Sequence, residues 1–178
     1  MNDKIYLAKL LRKYIKDFEK EVLFVCVGTD KNTGDALGPM VGTLLKKEGF
    51  TNVMGTLLNP VHAKNIHEAV KIVNKEHKDK VVIAIDASIT KDINHVGLID
   101  IKKEPLLPGT GVGKNLPKIG DIRIVGIINS YKEGDEFFAL ENTRLGKVYN
   151  LAVQIVDIIS LAIDKNNDKE NTNIEIAS

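Results

Sequence analysis

The chain has 178 residues, 43% of them hydrophobic, which is enough to bury one sizeable core and fits one domain better than two. Its 25 lysines and arginines almost cancel 24 aspartates and glutamates, so no field of one sign draws it to nucleic acid or to an anionic membrane. The one cysteine, Cys26, has no partner for a disulfide and sits in an apolar run, as expected of a small buried thiol in a reducing, cytoplasmic compartment.

Met1–Lys20 lacks the uninterrupted apolar core of a secretory signal, and no stretch is expected to reach transmembrane length. Leu7, Leu10, Leu11, Tyr14, Ile15 and Phe18 recur at spacings of three and four, which predicts an amphipathic opening helix. Val22–Val27 reads as a short strand buried on both faces, and the polar, glycine-flanked Gly28–Gly34 as the loop that follows it. Ala36–Glu48 has helical spacing with Pro39 in the first turn, where a missing N–H does little harm, and Gly49 as its stop.

Val53–Leu58 is expected to be a second strand and Ala63–Val73 a second inner-facing helix. Lys80–Asp86 is the clearest strand, a succession of β-branched residues with a carboxylate where the apolar run stops. Val96–Ile101 and Ile122–Ile128 predict two more strands, joined by a long loop rich in proline and glycine. Thr143–Ile163 predicts a largely buried helix, with Glu141, Asn142 and Thr143 capping its start.

The last residues are rich in Asn, Asp and Lys. The expected organisation is therefore one domain over residues 1–164 and a flexible tail over 165–178. Strands alternating with helices imply an α/β fold, a mostly parallel central sheet between two helical layers, with ligand chemistry at the strands' carboxyl ends.

Two carboxylates fall at such ends. Asp35 lies in Gly28-Thr-Asp-Lys-Asn-Thr-Gly-Asp-Ala-Leu-Gly-Pro39, which is neither a Walker loop nor a dinucleotide fingerprint. Asp86 closes Val-Val-Ile-Ala-Ile. Taken singly, the first reads equally well as a helix N-cap and the second as a polar strand end. Taken together they suit general acid–base hydrolysis: like charges held close cannot both ionise easily, so one carboxyl keeps a proton and the other activates water.

These two segments, with the loop Pro108-Gly-Thr-Gly-Val-Gly113, resemble the YyaC family of sporulation proteins over most of residues 20–160. That family is similar to the spore germination protease and, more distantly, to the hydrogenase maturation endopeptidases. The resemblance implies a three-layer α/β/α fold of the phosphorylase/hydrolase-like type, and an aspartate pair, Asp35 and Asp86, as the catalytic residues of an endopeptidase. The hydrogenase endopeptidases recognise nickel in their substrate through a Glu after the first motif Asp, an Asp at the second strand end and a His further on. Here Ala36 stands in place of the Glu and Asn129-Ser-Tyr follows the strand where a His would be needed, so neither a nickel site nor any other metal or cofactor is expected.

Asp30, Gly109, Gly111 and Gly113 are the expected substrate contacts, the glycines because they let a main chain approach closely. Asn129, Ser130 and Tyr131 end another apolar strand and stand as further cleft residues. His62 and His67 are five apart, off the spacing that puts two ligands on one helical face, and neither His77 nor His95 has a sequence context that singles it out. The expected partner is a peptide or protein, with neither nucleic acid nor membrane, and a homodimer is compatible with the sequence. The alternative reading is a catalytically silent binding or regulatory protein that uses the same cleft.

Overall fold

The computed structural model describes residues 3–109 and 116–163. The opening stripe forms α1 (Lys4–Lys16), started by Asp3, whose side chain accepts from the Tyr6 N–H at 2.9 Å. There follow β1 (Glu21–Cys26), a 3-10 turn Gly34–Ala36, α2 (Leu37–Lys47), β2 (Val53–Met54), α3 (Ile66–Glu76), β3 (Lys80–Thr90) and a second 3-10 turn Ile93–His95. The second half holds β4 (Ile99–Lys102), β5 (Ile122–Ser130), α4 (Glu136–Glu141) and α5 (Leu145–Ile163).

The strands make one sheet in the order β2-β1-β3-β5-β4, parallel throughout except for β4, which runs antiparallel to β5 at the edge. Strand alternation sorts the core into two layers. Phe24, Cys26, Ile83, Ile85 and Ile124 point to the face covered by α1, α2 and α5. Leu23, Val25, Val82, Ala84 and Val125 point to the face covered by α3 and by Leu106 and Ile119. The fold is therefore α/β, with a mostly parallel sheet between helical layers.

Several elements differ from the sequence reading, each for a local reason. β2 stops after two residues because Gly55 turns the chain with φ +84°. β3 does not end at Asp86 but continues for four residues, because Ala87 to Thr90 go on pairing with β5 up to Ser130. α3 begins at Ile66, three residues late, since Asn65 ties the preceding turn together by donating to the Pro60 carbonyl and accepting from the His62 N–H. The helix α4 was not foreseen. Asn142 and Thr143 serve it, donating back to the carbonyls of Phe138 and Ala139, rather than capping α5.

The long loop is an arm that leaves the sheet and returns, its two limbs joined by reciprocal Leu106–Ile119 main-chain hydrogen bonds of 2.9 and 3.1 Å. Contrary to expectation, α5 is long and apolar enough, by length and composition, to cross a membrane. The core helix of a folded domain meets the same test, and here Val148, Leu151, Ile155, Ile158 and Ile159 are buried in the layer shared with α1 and α2.

Candidate active site

Asp35 is set by the close packing of what precedes and follows it. After β1 the chain passes Gly28, turns through Thr29–Gly34, and re-enters as the 3-10 turn that carries Asp35 straight into α2. The start of α2 lies directly on the end of β1 and its next turn on the chain after β2: a β-carbon on Gly38 would stand 2.0 Å from the Val27 carbonyl oxygen, and one on Gly42 2.0 Å from that of Gly55. No side chain fits either position, so the backbones touch and Asp35 is held at the carboxyl end of β1.

Asp86 arrives from β3, the next strand, paired with Val125 of β5. Alternation aims it to the face of Val82 and Ala84, and it is a buried charged residue at 8% exposure. Burial first, and then the negative charge of Asp35, hold its carboxyl well above the ordinary carboxylate range, against the opposing pull of the Ala87 N–H, which donates to Oδ1 at 2.8 Å. At this position the proton is retained where an exposed aspartate has lost it. Asp35 itself is half-buried.

Both aspartates line one cavity of about 430 Å³ over the carboxyl end of β3. Its walls mix apolar and charged groups: Leu106 and Val125 on one side, Leu140 of α4 on another, with Glu104, Lys118 and Arg123 among the charged ones. Ala87, Ser88 and Ile89 line it too, the last beyond the point where the β3–β5 register shifts.

Of the expected substrate contacts, Gly109 lines this cavity. Gly111 and Gly113 lie outside the described residues. Asp30 is exposed on the turn after β1 and is not among the cavity's lining residues. Asn129 is not there either: its amide donates to the Ala139 carbonyl at 3.0 Å and its oxygen accepts from the Ser130 N–H, so it anchors α4 to the sheet.

The histidines stay apart from the pair. His67 and His95 are exposed, while His62 and His77 are half-buried with their Nδ1 atoms sealed from solvent. Among the described residues no three His, Cys, Asp or Glu side chains converge as a metal set.

Sequence reasoning missed Ser88, Arg123 and Lys118. Ser88 would have been found by running the period-two alternation past Asp86. Arg123 carries the signal of a lone charge inside the apolar run Ile122–Ile128, and Lys118 has none.

Fold and cavity together define an α/β protein with a buried carboxyl beside a second, half-buried one at the carboxyl end of a parallel sheet. The chain belongs to the family described as "Protein of unknown function (DUF1256)", which matches residues 1–158. It is similar to the "Uncharacterized protein YyaC" of Bacillus subtilis (strain 168), 44% identical over 144 residues that make up 80% of this chain and 69% of that one.

Among solved structures it superposes on the [NiFe] hydrogenase maturation protease HycI from Thermococcus kodakarensis KOD1, with TM-score 0.48 and 16% identity over 85% of this chain and 99% of that one. It also superposes on the [NiFe] hydrogenase maturation protease HybD from Thermococcus kodakarensis, with TM-score 0.39 and 15% identity over 76% and 99% of the two chains. These superpositions are loose, and the architecture above is read from the chain's own pairing and packing.

Proposed function

We propose that this chain is a peptide-bond hydrolase that works through Asp35 and Asp86, in the cytoplasm of a sporulating cell as the resemblance to the YyaC family implies. The observation that carries the reading is the shared cavity, in which a buried Asp86 is pushed toward its protonated form partly by the charge of Asp35. In the proposed reaction Asp35 takes a proton from water as its oxygen attacks the peptide carbonyl carbon, and Asp86 gives its proton to the carbonyl oxygen. When the tetrahedral intermediate collapses, Asp86 recovers a proton from the hydroxyl it had protonated. Asp35 passes its own to the departing nitrogen, which returns both carboxyls to their starting states. Gly109 is proposed to receive the substrate main chain.

The test is incubation of the purified protein with a mixed peptide library and with candidate protein substrates, followed by mass spectrometry, alongside Asp35→Asn and Asp86→Asn. Each substitution should lower turnover by a factor on the order of hundreds while the fold survives. Cleavage that persists in both variants overturns the assignment. No cleavage by the unmodified protein, with saturable peptide binding in the same cavity, favours the silent binding protein.

A further inference from the structure

Arg123 is the best-fastened charge near the aspartates, and the proposed chemistry does not use it. It stands on β5 two residues before Val125, the partner of Asp86 in the ladder, and so shares a sheet face with Val125. Its guanidinium reaches two carboxylates on different segments. One nitrogen lies 2.8 Å from Asp100 on β4, and Nε donates to Glu104 at 2.8 Å. The bond to Arg123 is the main reason the Glu104 carboxyl is held below the ordinary range.

Glu104 is the last residue before the arm, and Pro105, Leu106 and Leu107 are cavity wall. Asp100 belongs to the sheet, so the fork ties the root of a loop to a rigid strand. An arginine suits this task because its planar fork meets two acceptors at fixed angles, which a lysine cannot do. With the Leu106–Ile119 bridge further out, the near limb of the arm is fastened at two points.

We propose that Arg123 is a positioning residue: by bridging Asp100 and Glu104 it holds Pro105–Leu107 over the aspartate pair and sets how water and substrate reach Asp86. A surface ion pair of this kind adds little to global stability. Its proposed effect is local, on the stretch Pro105–Leu107 that lines the cavity with Asp86. The charged groups facing that carboxyl across the cavity are Asp35, Glu104, Lys118 and Arg123 itself.

The inference rests on the site described above, and its test does not require turnover. The Asp86 carboxyl is followed by carbon-detected NMR through a pH titration in the unmodified protein, in Arg123→Met, in Arg123→Lys and in the milder Glu104→Gln. Loosening the wall admits water, so the titration midpoint of Asp86 should fall toward the ordinary carboxylate range in Arg123→Met, against the rise that loss of a nearby cation alone would cause, whereas a fall in Glu104→Gln also contains the loss of a nearby negative charge. Arg123→Lys should not restore it. Where a peptide is cleaved, kcat should drop about 10- to 100-fold in Arg123→Met from misplacement of the wall, with a smaller change in KM.

An unmoved midpoint in Arg123→Lys, which keeps the charge and loses the fork, overturns the proposal even if Arg123→Met is too unstable to measure. A moved midpoint in a protein that cleaves nothing upholds the positioning role and counts against the hydrolase reading alone.

Discussion

The main-chain oxygen of Asp35 lies against Gly28, where a β-carbon would come within 2.0 Å of it. The Thr29 N–H donates to that same oxygen at 3.0 Å, and Gly28 has φ +140°, a conformation that residues with a side chain rarely adopt. The turn after β1 is thus closed on itself at a point open only to glycine. Gly28→Ala is expected to destabilise the protein by about 1–3 kcal/mol or more, since backbone and not a flexible side chain must yield. It should also displace Asp35, which urea unfolding and the Asp86 titration would register together; a variant as stable as its parent would show that the turn can open at no cost.

Stability should depend on pH through Asp86. Its carboxyl titrates higher in the folded chain than in the unfolded one, because of burial and then Asp35, so the folded state binds the extra proton in the interval between the two values. Stability is therefore fully present below the ordinary carboxylate range and is lost as pH rises through the folded value. Asp86→Asn cannot ionise, so it should flatten this slope and melt higher than the parent near neutral pH. Thermal melts across a pH series decide it, and parallel slopes in the two proteins would remove Asp86 as the cause.

Cys26 should be chemically silent until the protein unfolds. It is completely buried in β1, and desolvation pushes its thiol far above the ordinary range, so thiolate is scarce and reagents have no path to it. Under native conditions a thiol reagent is expected to react only at the rate of global opening, rising steeply in denaturant. Rapid labelling in buffer would show that the end of β1 opens locally.

The place of α5 in the core predicts an asymmetric response to truncation. Ile155 is fully buried between α5 and the sheet, whereas Leu161 is 37% exposed. Ile155→Ala should cost about 2–5 kcal/mol in denaturant unfolding, and Leu161→Ala well under half of that. Equal and small losses would mean that the apolar length of α5 is not spent on this core.

The parallel sheet was legible because buried strands leave unbroken apolar runs, and Val22–Val27 and Val81–Ile85 are such runs. Asp86 stands where one of these runs stops, whereas Asp35 follows the other only after the Gly28–Gly34 loop and was singled out by the motif it belongs to. What escaped depends on tertiary pairing. Ser88, Ile89 and Thr90 have no apolar continuity, and only the neighbouring β5 keeps them in the sheet. The six-residue α4 is too short to show a period and leaves Phe137 and Phe138 exposed, so its pattern resembles no inward face. The arm's contribution to the cavity wall rests on the Leu106–Ile119 bridge and the Arg123 fork, which join residues 13 and 19 positions apart and leave no local mark.

The margins of the sheet limit how any polypeptide could be gripped. On one side the last strand, β2, offers only Val53 and Met54; on the other, β4 is four residues long and carries Asp100 and Lys102. Short, charged borders of this kind discourage an incoming chain from extending the sheet by main-chain hydrogen bonding. A peptide ligand is therefore expected to gain its selectivity from side-chain contacts inside the cavity, with main-chain contact confined to loop groups such as Gly109, so its residue identities should matter more than its ability to lie extended. Scrambling a bound peptide at constant composition should abolish the interaction.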